Sequence, residues 1–202
     1  MSKVSEKSPK HCGEKTEKTE APNTRKHLLY IFLSLLLFIF LVWLILHPSK
    51  PRFSLQQLQI NLLNLTQPSL LNTSILLTLQ SDNPNQRVGI YYDDFLIYAS
   101  YRNQKITPDA SVSPFYQGQG ETNTLSTSLV GYQQPVSPSL GYQLERDQGI
   151  GKLVVGVKGM GRLRWKVGSW ISGRYRFVVS CITDMPFEDA SAQQGSQCST
   201  TL

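Results

Sequence analysis

The run Leu28–Leu46, LLYIFLSLLLFIFLVWLIL, constrains this chain more than any other stretch. Ser34 is its one polar residue, and it holds no charge. At about 1.5 Å per residue such a helix covers roughly 28 Å, close to the ~30 Å hydrocarbon core of a bilayer. In lipid every backbone N–H and C=O needs a partner within its own segment, so the run is expected to form a single membrane-spanning helix. Tyr30 and Trp43 stand near its two ends, where amphipathic rings settle at the headgroups. Core helices of soluble proteins are shorter or amphipathic.

The flanks give the run a direction. Lys10, Lys15, Lys18, Arg25 and Lys26 precede it, whereas only Lys50 and Arg52 follow closely. The richer side stays in the cytosol, so the N-terminus is expected inside and the C-terminal part outside or lumenal. His47-Pro48-Ser49-Lys50-Pro51 offers no small-x-small cleavage pattern, and the run reads as a retained anchor. The organisation expected is therefore a disordered basic cytosolic tail over 1–27, the helix over 28–46, a stalk over 47–52, a folded domain over 53–183 and a polar tail over 184–202. Met1–Asn23 is built from Lys, Glu, Ser, Thr and Pro and buries too little to offset its ordering entropy. Pro48 and Pro51 end the helix and stiffen the stalk.

The formal charge is +6, with seven Lys and Arg against four Glu in the tail and thirteen against ten beyond it. The excess in the tail suits an anionic inner leaflet. A globular part lying outside the cell is a poor match for nucleic acid, and no nucleic-acid partner is expected.

From Phe53 onward the hydrophobic period becomes two. Leu58, Ile60 and Leu62 alternate with Gln57, Gln59 and Asn61, and Ile75, Leu77 and Leu79 with Leu76, Thr78 and Gln80. Further sets are Val88, Ile90 and Tyr92; Phe95, Ile97, Ala99 and Tyr101; and Leu125 and Leu129 about Thr127. Leu153, Val155 and Val157 follow, then Leu163, Trp165 and Val167, then Tyr175, Phe177, Val179 and Cys181. Turn residues such as Asp82-Asn83-Pro84-Asn85, Gly149-Ile150-Gly151 and Gly168-Ser169 separate them. Short alternating strands without a strong helical period predict an antiparallel β-sandwich after the single helix.

The chemistry a domain can run is limited by what it lacks. His11, His27 and His47 are the only histidines, all in the tail or beside the apolar run. The domain has none for a Ser-His-Asp or Cys-His arrangement or a His-based zinc site. Two cysteines fall short of a four-thiolate site, and neither metal nor cofactor is expected. Asp93 and Asp94 are adjacent, so on a regular strand they point to opposite faces and do not flank one bond. Gly156-Val157-Lys158-Gly159-Met160-Gly161 leads into more strand instead of a helix start, which a phosphate loop requires.

Three groups of residues remain as candidate sites. Cys181 and Cys198 lie on the oxidising side, where a disulfide persists; alternatively Cys181 is a small buried strand residue. Asn64-Leu65-Thr66 and Asn72-Thr73-Ser74 are the only N-glycosylation sequons, and both follow the apolar run. Arg162, Arg164 and Lys166 share one strand face, and Arg174 and Arg176 return beside them if the two segments pair. That face suits an acidic wall polysaccharide, anionic headgroups or an acidic protein partner, or serves simply as a solubilising surface.

The segment Asn83-Pro84-Asn85-Gln86-Arg87-Val88-Gly89-Ile90-Tyr91-Tyr92-Asp93 brings in a resemblance. Together with Pro114-Phe115-Tyr116-Gln117-Gly118, Gly161-Arg162-Leu163-Arg164-Trp165-Lys166-Val167-Gly168 and the strand ending at Cys181, it resembles the plant harpin-induced-like membrane proteins. These are relatives of the non-race-specific disease-resistance protein and contain the late-embryogenesis-abundant group 2 domain. The likeness runs from about Thr24 to Cys198. It implies a fibronectin-like or immunoglobulin-like sandwich, an anchor in the plasma membrane or at plasmodesmata, roles in pathogen or stress responses, and no catalytic residues. Pro fixes φ and Asn bonds to nearby backbone, so the Asn-Pro-Asn segment reads as a turn that re-aims the next strand. The expected function is a non-enzymatic surface protein that binds a wall polysaccharide or a membrane-protein partner, with homo-oligomers possible. The alternative is a structural or transport-regulating role at cell-to-cell channels.

Overall fold

The computed structural model describes residues 24–46, 48–66, 69–186 and 196–202. The expected disordered tail falls mostly outside them. Two compact units divide at Ile45 and Leu46. The first contains all but the last residue of helix α1, Thr24–Leu46, which begins four residues before the apolar run. Its side chains from Thr24 to Val42 are all exposed, with mean hydropathy 1.9. A helix this long with no polar face is compatible with membrane anchoring.

The second unit is a sandwich of two antiparallel sheets. Its strands are β1 (Arg52–Thr66), β2 (Leu70–Asp82), β3 (Gly89–Tyr101), β4 (Gln104–Lys105), β5 (Ala110–Val112), β6 (Phe115–Gln117) and β7 (Thr122–Pro135). Helix α2 (Pro138–Ile150) follows, then β8 (Lys152–Val167), β9 (Trp170–Ile171), β10 (Tyr175–Pro186), β11 (Ser196–Gln197) and β12 (Ser199–Thr201). The smaller sheet runs β11-β1-β2-β7. The larger runs β12-β10-β8-β3, with β4, β5 and β6 on the far side of β3 and β9 beside β8.

Alternation drives this arrangement. Ile75, Leu77 and Leu79 of the smaller sheet and Ile97, Val155, Val157 and Val179 of the larger are buried, and together they form one core. Phe53, Phe95 and Phe177 meet at its centre, with Phe53 stacked on Phe177 at 6.0 Å between ring centroids and Phe95 at 5.1 Å from Phe177. A polar pin also joins the sheets: Gln117 donates to the Ser81 carbonyl at 2.8 Å and accepts from Tyr92 Oη at 3.1 Å. Burial pushes the Tyr92 phenol well up, so it stays protonated as a donor.

Four expectations are revised. The eight alternating segments merge into six long strands, because β3 joins two of the sets and β8 joins two more. Leu62 points out instead of in: a register shift between Ile60 and Leu62 turns Leu63 toward the core. Helix α2 was not expected; Ser137 caps it by accepting from Leu140 N–H, Pro138 occupies its first turn, and Gly151 ends it at φ 79°. The polar C-terminal stretch is partly strand, since β10 runs to Pro186, β11 joins the smaller sheet and β12 the larger.

The stalk is tied down as well. Ser49 N–H donates to Asn85 Oδ1 and Asn85 Nδ2 donates to the Ser49 carbonyl, both at 2.7 Å. Asn83 is fully buried and donates to the Val88 and Gly118 carbonyls at 2.8 and 2.7 Å. The Asn-Pro-Asn turn therefore fixes the point at which the chain enters the sandwich.

Candidate recognition face

The outer face of the larger sheet is organised by one irregularity. Tyr92 pairs with Leu163 and Asp94 with Arg162, which leaves Asp93 as the extra residue of a β-bulge. The bulge reverses the alternation and places both aspartates among the outer-face arginines, which corrects the expectation that they point apart. Gly161 opposite makes room for it, since a Cβ there would run into the Asp94 carbonyl and the Phe177 ring.

The five cations expected to share a face do so, but three of them are paired with two aspartates. Arg164 grips Asp93 through Nε and Nη2, with Nε 2.9 Å from Oδ2. Arg174 Nε donates to the same oxygen at 3.1 Å, and Arg162 Nε donates to Asp94 Oδ2 at 2.7 Å. The hydrogen bond from Arg164 is the largest cause holding the Asp93 carboxyl below the usual range; burial opposes it. The same pairing raises Arg164. Beside the network, Tyr91 and Tyr116 lie 4.6 Å apart by ring centroid, and Lys166 Nζ stands 5.0 Å from the Tyr116 ring. Among the described residues, Lys166 and Arg176 have no carboxylate partner. Asp93, Asp94, Tyr91 and Tyr116 were missed as members of this face. The signal was the switch of alternation from Ile90 and Tyr92 to Phe95 and Ile97, which two separate strands explained equally well.

The other candidates lie elsewhere. Cys181 on β10 and Cys198 between β11 and β12 form a disulfide, with Cα atoms 4.3 Å apart. Asn64 and Asn72 sit directly opposite each other on β1 and β2. An open cleft lined by Pro51, Phe53, Gln80, Asp82, Pro84 and Cys198 holds one acidic side chain, Asp82. Among the described residues no cluster of three His, Cys, Asp or Glu could hold a metal.

Known proteins supply the context for this arrangement. The late embryogenesis abundant protein family model matches residues 78–181, from mid-β2 to the disulfide cysteine of β10. NDR1/HIN1-like protein 26 of Arabidopsis thaliana is 49% identical over 100% of both chains. This chain belongs to the NDR1/HIN1-like, late embryogenesis abundant family. NDR1/HIN1-like protein 12 of the same plant is 42% identical over 78% of this chain and 75% of its own. A crystal structure of an Archaeoglobus fulgidus protein, 14% identical, aligns with TM-score 0.35 over 65% of this chain and 96% of that one. The family match spans the bulge at Asp93, Gly161 and the Asn-Pro-Asn turn. In this NDR1/HIN1-like chain the bulge and Gly161 shape the outer face, and the turn fixes where the chain enters the sandwich.

Proposed function

We propose that this chain is a non-enzymatic, single-pass plasma-membrane protein with a cytosolic N-terminus and an external sandwich. It takes part in plant defence or stress responses by binding a wall polysaccharide or a membrane-protein partner. The observation behind this reading is the 49% identity to an NDR1/HIN1-like protein over the whole of both chains, apolar helix included. The outer face of the larger sheet is the surface assigned to recognition. Its paired arginines set the shape, while Lys166, Arg176 and Tyr116 remain available to a carboxylate-bearing partner.

Protease protection in intact cells, beside glycosidase digestion of the parent, Asn64→Gln and Asn72→Gln, tests the orientation. An external domain is digested from outside, and its gel shift on deglycosylation is lost in the variant that removes the glycosylated asparagine. A Lys166→Gln, Arg176→Gln chain tests the face: its retention on membrane and wall fractions should fall at low salt and converge on the parent at high salt. Retention equal to the parent at every salt concentration would remove this surface from the proposal.

A further inference from the structure

The smaller sheet has an unusual outer side. No charged residue occurs in Phe53–Thr66, Leu70–Ser81 or Thr122–Pro135, which are nearly the whole of its three long strands. Natural sheets usually keep such strands apart with charges or Pro. On the same side lies an apolar patch. Leu62 and Val130 flank Ser74 in register and are 47% and 58% exposed, and Tyr132 is 78% exposed. β11 pairs β1 only at Ser54 and Leu55; beyond that a single side chain among the described residues reaches the β1 edge, Gln148 Nε2 donating to the Leu63 carbonyl at 3.0 Å.

Both sequons of the chain fall on this face, in the row next to the patch. Asn64 is exposed on β1. Asn72 faces it on β2 and is tied into the fold: its Oδ1 accepts from Gln133 N–H at 2.8 Å and its Nδ2 donates to Thr66 Oγ1 at 3.1 Å. Directly opposite strand positions place Cβ atoms roughly 5 Å apart, too close for two branched glycans. We infer that a single N-linked glycan on Asn64, with Asn72 left bare, covers the Leu62–Val130–Tyr132 patch and keeps this uncharged sheet from pairing with other chains. The inference rests on the external orientation proposed above. In the transfer, Asn64 Nδ2 bonds to the anomeric carbon of an oligosaccharide supplied as a polyisoprenyl diphosphate. The bond from that carbon to the diphosphate oxygen breaks, the polyisoprenyl diphosphate leaves with the electron pair, and the amide proton passes to a base of the transferase. The sandwich then has one sugar-covered side and one charged side.

The full chain is expressed in plant or insect cells, solubilised in detergent, and mapped for glycopeptides. A companion Lys105→Thr chain creates a reporter sequon at the exposed turn residue Asn103. The expected result is sugar on Asn64, none on Asn72, and a several-fold rise in cross-linked oligomers for Asn64→Gln. Adding Leu62→Lys to that variant should return the oligomers to the parent level, because a charge replaces the sugar. Removing the glycan enzymatically from the folded parent should give the same rise, which covers the case of a variant that fails to fold. Sugar on Asn72, oligomers unchanged by deglycosylation, or a bare Asn64 beside a glycosylated Asn103 would each overturn the inference while leaving the orientation standing. Bare Asn64 and bare Asn103, with the domain protected from external protease, would overturn both.

Discussion

The two sheets share one core yet present opposite outer surfaces. The smaller sheet turns amides and hydroxyls outward, such as Gln56 donating to Gln80 Oε1 at 2.7 Å and Thr78 meeting Ser126 at 3.3 Å. The larger turns out three arginines paired with two aspartates, organised by a bulge. Neutral cross-strand pairs place few demands on geometry, whereas the charged set holds only while the bulge keeps Asp93 and Asp94 on one side. The specific contacts therefore concentrate on the larger sheet, and the smaller one supplies generic hydrophobic support.

The largest effects should ignore this difference, because both inner faces share one core. Leu77→Ala in the smaller sheet and Phe177→Ala in the larger should each cost about 2–5 kcal/mol in denaturant unfolding of the sandwich. Two separate transitions in either variant would break the picture of a shared core. Next comes the double change Cys181→Ser, Cys198→Ser. The bridge spans a sequence separation of 17, and its loss should cost about 3 kcal/mol, read as an equal drop on treating the parent with reductant. Gly161→Ala forces a methyl group against the Asp94 carbonyl and should cost about 1–3 kcal/mol. Asp93→Asn weakens the hold on Arg164 and Arg174 at a site where the carboxylate side chain is 16% exposed, for about 1 kcal/mol. Gln80→Arg on the other sheet's outer face should stay near zero. Comparable losses for Asp93→Asn and Gln80→Arg would show that the charged network adds nothing specific.

Alternation and turn residues made the sandwich, its inner residues and the clustering of Arg162, Arg164, Lys166, Arg174 and Arg176 legible. Reading stopped where the period shifts by one. A bulge and a strand end both reset the alternation, so β3 looked like two strands and Asp93 and Asp94 like an ordinary adjacent pair. The same ambiguity hid the outward turn of Leu62. Helix α2 has caps that were in plain view at Ser137-Pro138 and Gly151, but few apolar residues between them; its buried positions are Leu140, Gly141 and Leu144. The counter-charges of the basic face come from β3, far away in sequence, and only the strand pairing brings them within reach. The C-terminal strands were invisible for a different reason: two or three polar residues have no period, and their place is set by the disulfide and by Cys198 N–H donating to the Phe53 carbonyl at 2.9 Å.

Acid sharpens the comparison most finely. In the second unit, Asp93 and Asp147 both have depressed carboxyls on the side of the larger sheet. Asp147, on α2, is held at about 2, chiefly by the hydroxyl of Tyr101 at the end of β3 and then by Arg102. A depressed folded-state value means the fold favours the ionised form. The stabilisation is therefore complete above the ordinary aspartate value of 3.8 and disappears as pH falls through the folded one. For Asp147 the window lies between about pH 4 and pH 2, and Asp93 should lose its contribution in the same direction. The long strands of the smaller sheet carry no carboxylate, histidine, lysine or arginine between Phe53 and Thr66, Leu70 and Ser81, or Thr122 and Pro135. Hydrogen exchange of the reductant-free sandwich from pH 5 down to pH 2.5, corrected for the intrinsic rate, should show amides near the bulge and the α2–β3 contact opening first. Amides between β1, β2 and β7 should hold until global unfolding. Equal loss of protection in both sheets would mean that the charged face is decoration on a uniform sandwich, and recognition would then have to be sought on a surface whose shape does not depend on Asp93.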